Sequence, residues 1–424
     1  MEDLIDDIVQ KYEYKSIIER FFSLVRKHPQ HVQGFIRKAL LELPEGNTVI
    51  NASFSYLPMD DFDDLVELAV NTLKTSPGNR IARTIILRAS LQCNEKLQPY
   101  LKDIFELSPD KFIEYDRWIW RDAKEKEISF LIGIVQSNDI SKESRQKACW
   151  CLLHSRKTLA LEYLHSILSE VPIIAETLNS EFSFEELLQH VDCHYTRNGI
   201  ETLYSSTVLH LEFPGEYLER KKSTSSFTRY HPTWRLETPS IGKYHIGGQI
   251  KQVCNNCGGK MHQIISFDRI PEDLGVNSSD KIVFATCLSC LGWVNEISYS
   301  KHGPNGSTDD ITPIFKKTTP EFPADPLASV TVVLKRAPRR WYHQSWWNAN
   351  DRENLNRFGG PPSWVQDSVY PACQECGQLM KFFGQLDSGL LSEDGYEWLW
   401  GSGGVCYIFW CDRCKTSAYH WQCT

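Results

Sequence analysis

The chain has 424 residues, of which 41% are hydrophobic and 24% charged, and its formal net charge is −8. This composition is that of a globular protein and excludes wholesale disorder, and the length suits two or three domains. The charge balance is not that of a non-specific nucleic-acid binder, and no run of eighteen apolar residues predicts a membrane span. The acidic start, MEDLIDDIVQKY, lacks the features of a signal peptide, so we expect a cytoplasmic protein.

Residues 1–190 are predicted to form a series of helices. Apolar residues recur at helical spacing, and the turns between helices are marked by prolines at positions 29, 44, 77, 109 and 172. The clearest pair of helices, Lys142–His154 and Arg156–Ser169, resembles one HEAT-type repeat. We therefore predict an irregular α-solenoid, a class that presents extended surfaces to other proteins. A plain helical bundle is an equally good interpretation.

Two stretches in the second half carry the same cysteine pattern. One reads CNNCGGKMHQIISFD from Cys254 to Asp268 and is followed by VFATCLSC. The other reads CQECGQLMKFFGQLD from Cys373 to Asp387 and is followed by IFWCDRC. In each copy a Met stands seven residues, and an Asp fourteen residues, after the first Cys. The matched C-x-x-C pairs predict two zinc sites, whose ligands are Cys254, Cys257, Cys287 and Cys290 in the first and Cys373, Cys376, Cys411 and Cys414 in the second.

Four thiolates complete a tetrahedron and leave no open coordination position, so we expect two structural zinc ions per chain. Apolar runs of strand length flank a polar turn in each copy, and the strand-like tails GWVNEISY and SAYHWQ follow, which together predict two zinc-ribbon-like units. Cys406 and Cys423 are predicted not to be ligands, because Cys406 has no counterpart in the first copy. Disulfides and a redox dithiol are the other interpretations of these cysteines.

The predicted fold class is α+β with several domains: a helical, HEAT-like region at 1–190, a first β-unit at 191–310 and a second β-unit at 311–424. The basic stretch ERKKSTSSFTRY, within the first β-unit, is predicted to be a surface loop. Gly247–Gly248 and Gly359–Gly360 precede the two cysteine sets, and we expect each pair to serve a tight turn or a close approach of neighbouring chain.

The connection into the second unit is rich in aromatic residues. Segment 335–347, KRAPRRWYHQSWW, mixes four basic side chains with aromatic ones, the combination that grips single-stranded nucleic acid, so a nucleic-acid-associated zinc-ribbon protein is the alternative function. Aromatic anchors on loops beside a rigid sheet also suit a protein or peptide partner. The predicted anchors are Trp346, Trp347, Phe358 and Trp364. The competing interpretation is that these residues cover the open face between the two β-units.

The chain contains no H-E-x-x-H, G-x-S-x-G or G-x-x-x-x-G-K-[ST] motif, so we expect no enzymatic activity and no catalytic residues. FGGPPSWVQ, CQECGQLMKFFGQLD and GGVCYIFWCDRC together resemble the YwqG-like bacterial family and its relatives around programmed cell death protein 2. The resemblance covers residues from about 340 to 424 and extends to 230–300 through the internal repeat. It implies a two-lobed β-rich domain that binds a protein or peptide, as a bacterial immunity protein or a chaperone-like factor.

Overall fold

A computed structural model of the full chain describes residues 15–43, 46, 48–107, 118–137, 139–170, 183–221, 226–276, 281–314, 317, 319–320 and 323–424. The chain divides into two compact units, Met1–Glu201 and Thr202–Thr424. Within the described ranges, no helix is both long and apolar enough to cross a lipid bilayer.

The first unit is helical. Its helices are α1 Lys15–Lys27, α2 Val32–Glu42, α3 Thr48–Ser53, α4 Phe62–Thr75, α5 Arg80–Gln92, α6 Leu101–Leu107, α7 Glu125–Gln136, α8 Lys142–Ser155, α9 Thr158–Glu170 and α10 Phe184–His190. A hairpin of β1 Cys193–Thr196 and β2 Gly199–Thr202 follows. The prediction of helices is therefore confirmed for the described residues. The solenoid and the HEAT-type repeat stay predictions.

Local signals in the sequence explain several helix ends. The side chain of Asn79 accepts a hydrogen bond from the backbone N–H of Ala82 and so caps α5, directly after the predicted turn at Pro77–Gly78. The predicted pair of helices is present as α8 and α9, separated by Arg156 in the left-handed conformation, with φ of 55°. The predicted turns at positions 44, 109 and 172 lie outside the described residues.

In its described residues, the second unit is built on a sheet of twelve strands. Its strands are β3 Val208–Glu212, β4 Ser240–Ile246, β5 Gln249–Val253, β6 Lys260–Phe267, β7 Ile282–Thr286, β8 Ser298–His302, β9 Thr308–Asp310, β10 Val330–Arg336, β11 Arg357–Gly359, β12 Lys381–Asp387, β15 Val405–Cys411 and β16 Thr416–Gln422. A separate small hairpin contains β13 Leu390–Leu391 and β14 Glu397–Trp398, and the short helices are α11 Gly215–Glu219 and α12 Ser226–Tyr230.

The strand order is β5-β6-β4-β10-β3-β11-β12-β15-β16-β8-β9, with β7 beside β6. Strand β3 precedes the first cysteine set but pairs with β11, which precedes the second set. Strand β10 precedes the second set but pairs with β4, which precedes the first set. β3 and β10 pair with each other in antiparallel fashion at the middle of the sheet. The predicted units 191–310 and 311–424 therefore share one sheet and exchange strands across it.

The core of the second unit lies on both faces of this sheet. Along β15 the side chains alternate: Tyr407 and Phe409 pack in one hydrophobic cluster, and Ile408 and Trp410 pack in another. Every residue of this strand is buried. The sequence shows this as the continuous apolar run VCYIFWC, the pattern of a strand that is covered on both faces.

The two Gly-Gly pairs stand at close approaches of the backbone, as predicted. Gly247 and Gly359 both have positive φ, 85° and 67°. A Cβ added at Gly247 would lie 2.3 Å from the carbonyl oxygen of Ala328, and one added at Gly359 would lie 2.0 Å from that of Thr207. Any larger residue would collide with backbone at either position, which explains why glycine stands there.

Two sequence-based expectations are wrong. The tail GWVNEISY does not begin as a strand. Its Gly292 has a φ of 77° and donates its backbone N–H to the carbonyl of Asn295, which forms a turn, and β8 starts only at Ser298. The stretch ERKKSTSSFTRY is not simply a surface loop, because Lys221 and Phe227 are 4% and 7% exposed. Both side chains are instead enclosed in the unit's interior, where tertiary contacts outweigh the polar local sequence.

Candidate metal centres and a buried ion cluster

The first cysteine set converges in space, and we call it centre 1. Cys254 and Cys257 stand in the turn between β5 and β6, while Cys287 and Cys290 follow β7 directly. The four sulfur atoms lie within 4.8 Å of one another. The Sγ atoms of Cys254 and Cys290 are 3.9 Å apart, and those of Cys257 and Cys287 are 3.6 Å apart.

The second set converges in the same way, as centre 2. Cys373 and Cys376 precede β12, and Cys411 and Cys414 stand at the turn between β15 and β16. Their sulfur atoms also lie within 4.8 Å of one another, with 3.7 Å between the Sγ atoms of Cys376 and Cys411. A tetrahedron with metal–sulfur bonds of about 2.3 Å has edges of about 3.8 Å. Both groups therefore match the size of a tetrahedral four-sulfur site and could hold a metal ion.

Backbone hydrogen bonds shape the first turn of each centre identically. Gly258 donates its N–H to the Cys254 carbonyl at 2.9 Å, and Gly377 donates to the Cys373 carbonyl at 2.9 Å. Both glycines have positive φ, 73° and 68°. The glycine that follows each C-x-x-C pair thus adopts the left-handed conformation that closes the turn. At centre 1, the Asn256 side-chain amide also donates to the Cys290 sulfur at 3.4 Å, which favours a thiolate there.

Protons are distributed unequally within each group of thiols. Hydrogen bonds with Cys254 and Cys287 hold the pKa of Cys290 at about 4, whereas hydrogen bonds with Cys254 and Cys290 raise the pKa of Cys287. At centre 2, a backbone hydrogen bond from Gln378 lowers the pKa of Cys376. One sulfur of each group is therefore the preferred thiolate before any cation arrives, and a cation would favour ionisation of the others.

None of the fourteen cysteines, all of which the structure describes, is in a disulfide, and the sulfur separations inside the centres far exceed the disulfide bond length of about 2.05 Å. Cys406 and Cys423 belong to neither centre. Cys406 is fully buried within β15, where burial raises its pKa. The disulfide interpretation of the two sets thus finds no support in their geometry.

Of the four predicted partner anchors, two are core residues. Phe358 is fully buried in β11, where its ring packs against Phe383 with centroids 5.2 Å apart. Trp364 is 4% exposed and packs against Tyr407 at 4.5 Å. The prediction that Phe358 and Trp364 anchor a partner is wrong, since neither ring reaches the surface. Both residues belong instead to the hydrophobic core that packs on the shared sheet.

Trp346 and Trp347 are the other two predicted anchors. Their rings are stacked with centroids 4.1 Å apart, and Trp347 is 50% exposed. The inner ring, Trp346, is half-buried and packs against the hydrophobic cluster behind it. Arg352 is exposed beside the pair and donates from Nη1 to the Trp347 carbonyl at 3.0 Å. The ring of Trp347 is thus exposed to solvent, and Trp346 holds it in place from the side of the core.

Several groups of segment 335–347 contact the protein itself. Trp341 is 3% exposed, so its ring is closed to a stacking base. Lys335 forms an ion pair with Glu212 at 3.0 Å, and Arg336 forms one with Asp273 at 2.5 Å. Trp341, Lys335 and Arg336 are thus engaged with the protein itself, and whether the segment binds nucleic acid stays a prediction.

A buried cluster of charged groups escaped the sequence analysis. Lys221 Nζ lies 2.5 Å from Asp351 Oδ1, with the two side chains 3% and 10% exposed. Asp387 lies close by and is fully buried; its carboxylate accepts hydrogen bonds from the backbone N–H groups of Asn350 and Ser388 at 2.9 and 2.8 Å. Burial raises the pKa of Asp351, and burial together with the neighbouring Asp351 raises that of Asp387 well above its ordinary value.

The sequence offered one partial signal for this cluster. The repeat pattern equates Asp387 with Asp268, but the side chain of Asp268 is 88% exposed and faces Lys281 across 3.4 Å. Asn350 and Asp351 both have positive φ, 58° and 67°, which is uncommon for residues other than glycine. Lys221 and Asp351 stand 130 positions apart, so no local pattern could have paired them.

The described parts of the chain thus define a helical unit and an antiparallel β-unit with two four-cysteine centres. The chain is similar to the uncharacterised protein YpfL of Salmonella typhimurium (strain LT2), with 39% identity over 70 residues. That match covers 16% of this chain and only about 15% of the length of that protein. No protein-family profile matches the chain, and no solved structure matches it.

Proposed function

We propose that both centres bind zinc and that the zinc is structural. The supporting observation is the pair of four-sulfur groups with sulfur separations of 3.6 to 3.9 Å. Zinc favours all-thiolate tetrahedral sites, and four protein ligands leave no position for a substrate or an activated water. The ions would hold together turns that carry little hydrophobic core of their own, in a cytoplasm that keeps thiols reduced.

We further infer that the two zinc units arose by duplication. In both β6 and β12 the pairing with the following strand breaks register ten residues after the first Cys (264 − 254 and 383 − 373). One position later, Ile265 and Gly384 pair with the residue that precedes each Gly-Gly, namely Ile246 and Phe358. The position of a bulge and the register are set separately for each pair of strands, so agreement of both features between the two units favours their common descent. This agrees with the two-lobed domain that the YwqG-like resemblance implies.

We propose that the protein is a non-enzymatic binding module whose partner, a protein or peptide, docks on Trp346 and Trp347. The observation that carries the proposal is the stacked pair with its half-exposed outer ring. Aromatic side chains that are held by packing bury large areas at little entropic cost, which makes them strong anchors. Arg352 beside them favours an acidic partner segment. The role of an immunity protein or chaperone-like factor rests on the family resemblance.

The test compares two exposed tryptophans. Tagged wild-type chain, Trp347→Ser and Trp293→Ser are expressed in the native host, and co-purifying proteins are identified and then titrated as purified components. Trp293 is the matched control because its side chain is 61% exposed and lies on the turn after Cys290. A partner that binds the wild type and the Trp293 variant, but binds the Trp347 variant at least about 30-fold more weakly, supports the proposal. Equal binding by all three chains contradicts it.

A further inference from the structure

The hairpin formed by β8 and β9 contacts the cysteine turns of both centres. We propose that this hairpin couples the two centres, so that a metal ion bound at one raises the affinity of the other. Lys301 and Asp310 are then positioning residues that act on metal binding at the centre they do not touch. The inference rests on the metal binding proposed above and goes beyond it, because two independent structural sites would need no such coupling.

At centre 2 the hairpin holds both cysteine turns. Lys301 Nζ, on β8, donates to the carbonyl oxygen of Cys414 at 2.7 Å and pairs with the Glu375 carboxylate at 2.6 Å. Glu375 lies between Cys373 and Cys376, so one ammonium group ties the two ligand turns together. The backbone N–H of His302 donates to the carbonyl of Lys415 at 2.9 Å, directly after the last ligand.

At centre 1 the same hairpin holds one cysteine turn and the strand, β7, that leads into the other. The Asp310 carboxylate, on β9, accepts a hydrogen bond from the backbone N–H of Asn255 at 2.9 Å, between Cys254 and Cys257. The Asn255 side chain also donates to the Asp310 carbonyl. The Ser300 hydroxyl, on β8, donates to the carbonyl of Ala285 at 2.7 Å, two residues before Cys287. Side chains of one hairpin thus reach the chain around all four C-x-x-C pairs.

The residues of the hairpin that contact the two centres are neighbours on its two strands. Lys301 pairs with Asp309, and Ser300 pairs with Asp310, so the groups that hold the two centres stand on adjacent strand pairs. Ser300 and Thr308 are buried, and the Thr308 hydroxyl donates to the Val283 carbonyl at 2.6 Å. β8 is also paired along its length with β16, which begins at the last ligand turn of centre 2.

The physical basis of the coupling is shared ordering. A metal ion that closes one centre orders its turns, and ordered turns complete the hydrogen bonds that hold the hairpin. The hairpin then presents its remaining groups to the other centre in their final positions, so the second ion meets turns whose conformational entropy is already reduced. Couplings of this kind change affinity by about 5-fold to 150-fold, and we expect about 10-fold here.

The experiment uses the full chain, stripped of metal and refilled with ¹¹³Cd²⁺, whose thiolate complexes give one NMR signal per centre. Cys257→Ser and Cys376→Ser assign the two signals, and competition with a chelator measures the affinity of each centre. The variants are Asp310→Asn, which contacts only centre 1, and Lys301→Met, which contacts only centre 2. Asp309→Asn is the matched control, since Asp309 lies next to Asp310 on the same strand with its side chain exposed.

We expect Asp310→Asn to weaken cadmium binding at centre 2, and Lys301→Met to weaken it at centre 1, each about 10-fold, while Asp309→Asn changes neither. A variant that weakens only the centre it contacts has a local structural role, and that result would overturn the coupling. Wild-type chain with no cadmium–thiolate signal at either centre would instead refute metal binding itself. Two wild-type signals that fill independently would refute the coupling alone.

Discussion

Replacing Lys221 tests whether the buried ion pair supports the second unit. The change Lys221→Met keeps the apolar stem and removes the ammonium that lies 2.5 Å from Asp351. The Asp351 carboxylate is then left charged and nine-tenths buried, beside the fully buried Asp387. Breaking a buried pair by removing one partner costs about 3–5 kcal/mol, because the remaining charge has lost both water and its counter-ion. We expect a loss of this size in the free energy of unfolding at pH 8.

The pH dependence separates this cause from a packing defect. Burial already raises the pKa of Asp351, and the Lys221 charge opposes that rise, so the pKa goes higher still in Lys221→Met. A carboxyl whose pKa is raised on folding contributes stability that is complete below its unfolded pKa and is lost as pH rises through its folded pKa. The deficit of the variant relative to wild type should therefore shrink as the pH falls from 8 towards 5.

The assay is urea unfolding of the metal-loaded chain, followed by tryptophan fluorescence, at several pH values between 5 and 8. Differences from wild type at each pH cancel the acid sensitivity of the metal centres. The double variant Lys221→Met with Asp351→Asn is the control: it removes both charges, and asparagine tolerates the left-handed backbone at 351. It should recover at least about half of the loss. A deficit below about 1 kcal/mol at pH 8, or one that is constant across the pH range, would refute the reasoning.

Three further predictions concern the metal centres and the sheet. Elemental analysis should give two zinc ions per chain for the wild type and for Cys406→Ser, and one for Cys373→Ser; well under one in the wild type would end the zinc proposal. Gly247→Ala should destabilise the second unit by more than about 1 kcal/mol, because the added Cβ would meet a carbonyl oxygen. Gly34→Ala is the control: position 34 lies in α2 with open space around it, so this change should stabilise its helix by about 0.5–1 kcal/mol. Thermal unfolding measures both effects. A chain truncated after residue 310 should lack the cooperative unfolding of the sheet, since β4 and β3 lose their partners β10 and β11.

The elements that local sequence determines were predictable. The apolar runs at β6, β7, β12 and β15 are strands in the structure, and the spacing of the eight cysteines identified both groups that converge. A C-x-x-C turn closes within a few residues, and β6 pairs with β7, and β12 with β15, within one stretch of sequence, so both features leave a local pattern. The helical pair α8 and α9 was visible for the same reason.

The features that depend on distant partners were not predictable. Nothing in the local sequence of β3 or β10 shows that each pairs with a strand from the other half of the unit. Phe358 and Trp364 stand among glycines and prolines, without the alternation that marks a core strand, and only the completed sheet encloses them. Lys221 sits in a polar stretch that sequence reasoning assigns to the surface, because its counter-ion is contributed by a remote loop.

The exchange of strands also explains why the metal centres stand where they do. Each centre closes a local segment, with Cys254 and Cys290 separated by 36 positions, whereas Phe358 and Leu209, which pair β11 with β3, are 149 positions apart (358 − 209). Closing the longer loop costs more conformational entropy, and its pairing gains little until both partner strands are ordered. The central strands β3 and β10 carry no cysteine, while the hairpins β6–β7 and β12–β15 both end in ligands. We therefore expect each metal ion to order its own hairpin first, and the central strands β3 and β10 to join the two ordered hairpins afterwards.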